Sequence, residues 1–263
     1  MSFEYNDKKI EGRIRISPSG MYNYYDNPNK WYKSNVLGQK MSINSQMVIG
    51  TLIHHRLEEF YNGRVHNLDD EVEYLSRFKD NPEIDDWEVI ETVDKTWEYL
   101  YNEFIPTMQK PDSFEEFIEY IPATNPDIWV GGSYDYLRGN TVGDYKTANS
   151  ISKDIKTHHR VQLYIYAWIL NQSGHSIDSI ECVYIQKWTK GKPNPKYDGS
   201  TKYKEFLGSK DAQAVIVKEE IDPEFMNVVL QDMKNIGTMI SMCRQDESLV
   251  PLFFRTNLLS HFS

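Results

Sequence analysis

The sequence has few cysteines: Cys182 and Cys243 are the only two among 263 residues. Neither belongs to a Cys-x-x-Cys pair, so the cysteines alone cannot form a zinc ribbon or hold an iron–sulfur cluster. The sequence also lacks any run of 18 or more apolar residues, and residues 1–10 are polar rather than apolar. It therefore predicts no membrane span and no secretory leader, but a soluble, cytoplasmic protein whose two thiols are buried and free.

Net positive charge is lacking as well, since 39 acidic residues against 29 basic ones give a formal charge of -10. Binding that coats nucleic acid depends on the number of phosphates that Lys and Arg neutralise, so this charge argues against such a protein. It does not exclude a nuclease, because an enzyme that collects carboxylates around divalent cations is acidic, while its ions and a local basic groove attract phosphate. The sequence has no Walker A motif, so no helicase activity is predicted.

Apolar residues make up 40% of the chain, which is ample for a large core. Their spacing predicts an α/β fold, with a central mixed β-sheet flanked by helices and helical additions at both ends. We expect one domain over 1–263, with its core at about 45–190 and a loop and helix extension at about 191–263. Helical periodicity predicts helices over 45–61, 87–104, 156–171 and 222–246. Alternating apolar residues predict strands over 114–121, 129–137, 141–147 and 180–188, and the acidic stretch 67–86 is predicted to be a loop.

A predicted β-hairpin carries the most informative residues. If Gly139 and Asn140 form a two-residue turn, Asp135 lies directly opposite Asp144, with Cβ atoms about 5 Å apart. Two carboxylates that close repel each other unless a cation lies between them, and a divalent metal is the simplest explanation. Lys146 emerges on the same face as Asp144, beside such a metal and a substrate phosphate. The alternative is a solvated turn, because an Asp-x-Lys triplet also occurs by chance.

Two predicted helices add candidate site residues. His54 lies on the helix 45–61, one turn after Gly50, whose small size lets the helix approach another backbone closely. A lone histidine is also compatible with an ordinary surface or core position. On the helix 156–171, Gln162 and Tyr166 lie one turn apart, either as packing residues or directed at a bound strand. His158 and Arg160, near the same helix N-terminus, are candidate phosphate contacts.

The order of these motifs resembles the RecB-like branch of the PD-(D/E)XK nucleases over roughly residues 16–170. The motifs are G-x-x-x-H (Gly50 to His54), an aspartate after a glycine pair (Asp135), D-x-K (Asp144 to Lys146) and Q-x-x-x-Y (Gln162 to Tyr166). The resemblance implies a metal held by His54, Asp135, Asp144 and the backbone carbonyl of Tyr145. It implies catalysis by Lys146 with Asp144 and Asp135, and substrate contacts from Gln162 and Tyr166. Relatives also carry a glutamate on the preceding strand, for which Glu116 is our candidate and Glu115 and Glu119 are alternatives.

Further expectations follow from the same resemblance. The cofactor is expected to be Mg²⁺, with Mn²⁺ as a substitute, and no iron–sulfur cluster is expected because the four cysteines of some relatives are missing. A stand-alone DNA exonuclease similar to the RecE-type and lambda-type recombination enzymes of phages and bacteria fits best. Such relatives suggest a ring-shaped homo-oligomer, a single-strand annealing or recombination partner protein, and a host cytoplasm if a phage encodes the chain.

Several alternatives remain open. The chain is also compatible with a structure-specific or single-strand endonuclease of the same superfamily, with a non-catalytic nucleic-acid-binding module on this fold, and with an acidic assembly protein. The stretch 187–204 contains lysines interleaved with Trp188, Tyr197 and Tyr203, which predicts either a grip on single-stranded DNA or a merely solvated insertion.

Overall fold

The computed structural model describes residues 10–39, 42–123, 127–199 and 205–254. The α-helices are α1 (Met21–Asp26), α2 (Pro28–Asn35), α3 (Ser45–Tyr61), α4 (Leu68–Ser76), α5 (Asp86–Tyr99), α6 (Thr157–Gln172), α7 (Pro223–Gln245) and α8 (Val250–Phe253). The strands are β1 (Ile14–Ile16), β2 (Ser113–Tyr120), β3 (Ile128–Arg138), β4 (Thr141–Ala148), β5 (Ser179–Gln186), β6 (Lys192–Pro193), β7 (Phe206–Leu207) and β8 (Gln213–Glu220). A π-helical turn, Leu100–Phe104, extends α5. No helix in the described part of the chain is long and apolar enough to span a lipid bilayer.

Six strands form one mixed sheet, and β6 and β7 form a separate small hairpin. Strand β3 pairs antiparallel with β2 along one side. Along its other side it pairs first with β1, in parallel, and then with β4, antiparallel. Strand β5 continues the sheet in parallel with β4, and β8 closes it antiparallel to β5. The predicted α/β architecture with a central mixed sheet is confirmed.

The pairing of β3 leaves a fork in the sheet. Between its pairings with β1 and β4, residues 131–135 have no strand partner on that side among the described residues. Two backbone carbonyls in this gap accept side-chain hydrogen bonds instead: Gly131 from Arg15 Nε at 3.0 Å, and Ser133 from the Tyr166 hydroxyl at 2.6 Å. These two carbonyls are thus satisfied without a strand, and the fork stays available for side chains of β3 and β4.

Apolar layers cover both faces of the sheet. One cluster, which includes Leu163 and Ile236, packs α6 against β5 and α7 against α6. The other, which includes Leu52 and Val93, packs α3 and α5 against the opposite face. Burial of such side chains contributes roughly 1.5 to 3 kcal/mol each, so these layers fix the positions of α3 and α6 relative to β4.

A buried ionic network adds α4 to this framework. The Arg56 guanidinium of α3 makes two hydrogen bonds to Glu71 of α4, at 2.7 and 2.8 Å, and one to Asp94 of α5 at 2.7 Å. The predicted loop over 67–86 was therefore wrong, because α4 lies within it. Its Asn67 cap and its inward-facing Leu75 provide the local reason for a helix that the acidic composition concealed.

The other predicted helices and strands agree with the structure to different extents. Helix α3 has the predicted bounds, and its Asn44 side chain caps it by accepting from the Met47 N–H at 3.1 Å. Strand β8 was missed, because as an edge strand it has exposed residues on both faces and no apolar alternation to detect. Within the stretch 187–204, the predicted DNA-gripping residue Tyr203 and its neighbours lie outside the described residues. The part up to residue 199 contributes to the β6–β7 hairpin.

Candidate metal centre and active site

His54 of α3 lies over the fork between β3 and β4. Its Nε2 atom is 2.7 Å from the Tyr145 carbonyl oxygen, and its Nδ1 atom is 3.5 Å from Asp135 Oδ2 and 3.6 Å from Glu115 Oε1. One ligand atom from each of His54, Glu115 and Asp135 lies within 4.8 Å of the others. An imidazole, two carboxylates and a nearby carbonyl are a donor set that suits a divalent cation such as Mn²⁺ or Mg²⁺.

Gly50 explains how the helix comes so close to the strand. A Cβ atom at this position would lie 3.1 Å from the Thr147 hydroxyl of β4. A side chain at this position therefore requires the Thr147 hydroxyl or α3 to shift by a few tenths of an ångström. Glycine thus permits the close approach of α3 to β4 that places His54, one turn later, at the Tyr145 carbonyl.

The β3–β4 hairpin has the predicted register, with Tyr136 opposite Gly143. Asp135 and Asp144 are the next two positions outward from this pair, but the ladder ends there and the strands separate. In place of a backbone bond, Asp135 Oδ2 accepts the Tyr145 N–H at 2.6 Å. The separation makes room for the carboxylates, and Asp135 turns towards His54.

Asp144 and Lys146 lie on the α6 side of β4. Lys146 Nζ is 2.9 Å from Asp144 Oδ1 and 2.7 Å from Oδ2, and the Gln162 amide of α6 donates to Oδ1 at 2.8 Å. Asp144 is 1% exposed. The structure thus places His54 near both Asp135 and the Tyr145 carbonyl, each at a different nitrogen of its ring. It holds Asp144 beside them, bonded to Lys146 and Gln162, rather than inside the three-residue donor group.

Burial and mutual charge shift the pKa of these groups. Burial, with the charge of Asp135, raises the pKa of Asp144 to about 6. Burial also raises the pKa of Asp135, although His54 opposes that shift. Burial alone would lower the pKa of His54, but Asp135 and Glu115 raise it to about 9. The buried carboxylates thus repel one another and are only partly neutralised by His54 and Lys146. A divalent cation bound between them would reduce this repulsion.

Glu115, and not the predicted Glu116, belongs to this cluster. The flanking pairs Phe114–Tyr136 and Glu116–Tyr134 place Glu115 level with Asp135, although these two residues are not themselves paired in the ladder. Both carboxylates lie near His54. Glu116 faces the other side, where its carboxylate accepts a hydrogen bond from Tyr134 at 2.6 Å. Glu115 also has a φ of 52°, a left-handed conformation that is rare for a side chain other than Asn, Asp or His. No strand pattern could have revealed this local twist, so sequence reasoning could name Glu115 only as an alternative.

Gln162 and Tyr166 are both buried, at 6% and 2% exposure. Gln162 orients Asp144, and Tyr166 donates to the Ser133 carbonyl in the fork of the sheet. Addition of a Cβ atom to Gly132 would bring it within 2.9 Å of the Tyr166 hydroxyl, so this ring packs directly on β3. In this structure both residues hold the site together, and a direct contact with a bound strand stays a prediction.

The two remaining predicted substrate contacts lie in the first turn of α6. Arg160 forms a two-pronged ion pair with Glu219 of β8, both contacts measuring 2.8 Å, so its guanidinium is bound to the edge strand of the sheet. His158 is half-buried, and burial, with the charges of Lys156 and Lys146, lowers its pKa. The charge of Lys146 thus affects His158, whereas Arg160 forms its ion pair with the edge strand β8.

The sequence and the fold of the chain are similar to those of known proteins. The family model of the PD-(D/E)XK nuclease superfamily matches residues 15–242. A provisionally named exonuclease from Eubacterium rectale shares the fold with a TM-score of 0.51 and 12% identity, over 83% of this chain and 76% of its own. A phage-related exonuclease from Haemophilus somnus gives a TM-score of 0.36 and 10% identity, over 88% and 96% of the two chains. No curated protein matches the chain significantly in sequence.

Proposed function

Because the chain belongs to the PD-(D/E)XK nuclease superfamily, we propose that it is a divalent-metal-dependent deoxyribonuclease that acts as a DNA exonuclease. The observation that carries this proposal is the convergence of His54, Glu115 and Asp135 at one point, next to Asp144 and Lys146. These residues come from four separate elements, and ordinary packing gives no reason to place two carboxylates beside one imidazole with a third, paired with Lys146, next to them.

The donor set fits Mg²⁺, with Mn²⁺ as a substitute. His54, Glu115, Asp135 and the Tyr145 carbonyl would hold the ion, with Asp144 alongside. The ion supplies Lewis acidity towards phosphate and water when it is bound. Gln162 fixes the orientation of the Asp144 carboxylate, which in turn fixes the Lys146 ammonium.

Lys146 supplies the fixed positive charge of the site. Burial alone would lower its pKa, but Asp144 and Asp135 raise it, so the ammonium stays protonated at neutral pH. In this position it donates hydrogen bonds to an attacking water and to the phosphate oxygens on which negative charge develops. Asp144 keeps the ammonium in place between substrate turnovers.

We expect Asp144→Asn and Lys146→Ala to lower the cleavage rate at least about a hundredfold, because Lys146 contacts the reacting phosphate and Asp144 holds its ammonium in place. The measurement is release of label from end-labelled linear DNA in Mg²⁺ or Mn²⁺, with EDTA as the blank. Lys110→Ala, an exposed lysine in the stretch before β2, is the matched control and should cleave like the wild type. Full activity in either site variant, with the circular dichroism spectrum unchanged, would refute the assigned roles.

The exonuclease proposal has its own test. An exonuclease degrades linear DNA and leaves closed circles intact, whereas the alternative, a structure-specific or single-strand endonuclease, cuts circles. The same assay on single-stranded and duplex circles separates these readings. Binding of metal and DNA by the wild type without any cleavage would favour the remaining alternative, a non-catalytic nucleic-acid-binding module. The proposed oligomeric ring, recombination partner and cytoplasmic location would be examined once cleavage is established.

A further inference from the structure

A group of exposed lysines lies at the end of the sheet just beyond Lys146. Two segments, distant in sequence, meet there: the loop 149–156 that follows β4, and the hairpin region 187–212 that follows β5. Lys210 Nζ donates to the Asn149 carbonyl at 3.0 Å, and Gln186 of β5 donates to the Asp211 carbonyl at 2.9 Å. These contacts join both segments into one surface at the carboxyl ends of two parallel strands.

This surface begins close to the candidate active site. Lys146 and Ala148 lie on the same face of β4, two residues and about 7 Å apart. The Lys187 N–H donates to the Ala148 carbonyl at 3.0 Å, so the hairpin region starts where β4 ends. A polymer whose phosphate lies beside Lys146 would therefore pass over these segments if it left the fork in the direction of β4.

We call Lys153, Lys156, Lys192 and Lys210 the lysine rim. All four are exposed, and none is ion-paired with a carboxylate among the described residues. Their ammonium groups have neutral neighbours where a contact is seen: Lys156 Nζ lies 5.8 Å from the centre of the Tyr184 ring, and Lys210 contacts a carbonyl. Lys190, by contrast, is held by Glu91 at 3.1 Å and is not part of the rim.

The local charge is opposite to that of the whole chain. The described parts of the two segments, with the first turn of α6, contain seven lysines and four acidic residues. Lys187 is buried and Lys190 is paired with Glu91, so five exposed lysines without a carboxylate partner among the described residues face four acidic residues, whereas the chain carries a formal charge of -10. The first turn of α6 adds backbone N–H groups without a side-chain cap, next to Lys156. Ammonium groups without a carboxylate partner and helix N–H donors together attract phosphate, whereas the acidic remainder of the protein surface would repel it.

We infer that the lysine rim is the surface on which the sugar–phosphate backbone of DNA lies as it leaves the active site. This inference rests on the proposed nuclease function and adds the path of the substrate. Each rim lysine contacts phosphate without reading bases, so the rim contributes affinity for any sequence and makes binding strongly dependent on salt. It also accounts for how an acidic protein holds DNA, since exposed lysines, unpaired with any described carboxylate, lie on segments that adjoin the end of β4.

The test is a salt titration of DNA binding. The variant carries Lys153→Gln, Lys156→Gln and Lys210→Gln; the matched control carries Lys33→Gln, Lys110→Gln and Lys234→Gln, three exposed lysines on α2, before β2 and on α7. Both have the same net charge. Fluorescence anisotropy follows the binding of a labelled single-stranded oligonucleotide and of the corresponding duplex. The buffer contains EDTA, so no cleavage occurs, and the salt concentration is varied from about 50 to about 300 mM.

We expect the rim variant to bind more weakly at low salt and to lose about two to three units of the slope of log K against log salt, with the control close to the wild type. The two DNA arms show whether a single strand or a duplex occupies the rim. Equal slopes for rim variant, control and wild type would overturn the inference. Cleavage by the wild type is measured separately. If the wild type cleaves DNA but the three salt slopes are equal, only the inference about the lysine rim is refuted. A rim effect without cleavage in any metal defeats the nuclease proposal and leaves the binding surface standing.

Discussion

At the scale of single residues, Glu115 shows how the site depends on a local departure from strand geometry. A left-handed φ costs a residue with a side chain roughly 1 kcal/mol or more, and Glu115 adopts it within β2, level with Asp135. The cost persists because the surrounding ladder fixes both neighbours, Phe114 and Glu116, in register with β3. Its result is a second carboxylate within 3.6 Å of His54. Strain of this kind, located at a cluster of ionisable groups, is typical of a functional position.

We expect Glu115→Gln to weaken Mn²⁺ binding at least about tenfold, since a neutral amide replaces a charged ligand. Isothermal titration calorimetry of the metal alone measures this directly. Glu116→Gln, one residue away on the other face of the sheet, is the matched control and should bind Mn²⁺ with the affinity of the wild type. Equal losses in both variants would show that Glu115 acts through the general charge of β2 rather than as a ligand.

At the scale of elements, the β3–β4 hairpin places Asp135, Asp144 and Lys146. Its pairing depends on Gly143, because the Tyr136 ring lies across that residue: a Cβ atom there would be 1.9 Å from the ring carbon Cζ. The Tyr136 hydroxyl reaches on to Glu181 of β5, which also receives two hydrogen bonds from Arg138 at 2.6 Å. Because Gly143 has no side chain, the Tyr136 ring can lie across β4 and reach Glu181. This hydrogen-bond network links β3, β4 and β5 beside Asp144.

Gly143→Ala should therefore destabilise the fold by about 3 kcal/mol, since the new methyl group forces the Tyr136 ring off Glu181. The control is Gly139→Ala in the hairpin turn, where φ is 58° and no atom lies within 4 Å of the added Cβ. That change costs only the backbone strain of about 1 kcal/mol. Urea denaturation followed by tryptophan fluorescence compares the two, and an equal loss in both variants would contradict the role of the Tyr136 contact.

At the scale of the whole molecule, the fold gathers acidic groups that an isolated chain would keep apart. Helix α3 lies on one face of the sheet and α6 on the other, and their side chains reach β4 from both faces: His54 contacts Tyr145, and Gln162 contacts Asp144. Burial of the resulting carboxylates raises their pKa, which is an energetic cost in the absence of a cation. The core clusters on both faces of the sheet offset that cost.

A cation that binds only the folded protein should consequently raise its stability. At a metal concentration one hundred times the dissociation constant, the gain is about 2.7 kcal/mol, or roughly 5 to 10 °C in the midpoint of thermal unfolding. Differential scanning calorimetry in Mn²⁺ against EDTA measures the shift. Asp135→Asn should lose most of it, and Glu116→Gln should keep it. A wild-type midpoint that does not respond to millimolar Mn²⁺ would argue against a metal centre in this cluster.

The sequence by itself determined the long α3 helix, the β3–β4 hairpin register and the family resemblance. The first two depend on residues close together in the chain: the apolar periodicity from Ser45 to Tyr61, and the Gly139–Asn140 turn that sets Tyr136 opposite Gly143. The resemblance depends on the order of four short motifs between Gly50 and Tyr166. Local patterns predict such features because neighbouring residues impose them through backbone geometry. The D-x-K spacing likewise placed Asp144 and Lys146 on one face before any tertiary contact was known.

Only the tertiary structure decided which glutamate joins His54, how Gln162 and Tyr166 are used, and that the loop after β4 meets the hairpin after β5. Glu115 reaches the cluster through a backbone twist fixed by the pairing of its neighbours with β3, and Gln162 meets Asp144 because α6 crosses over β4. Edge strand β8 and the lysine rim depend on contacts between segments more than 25 residues apart. Such contacts are set by the packing of the whole sheet, which leaves no periodic signal in the chain.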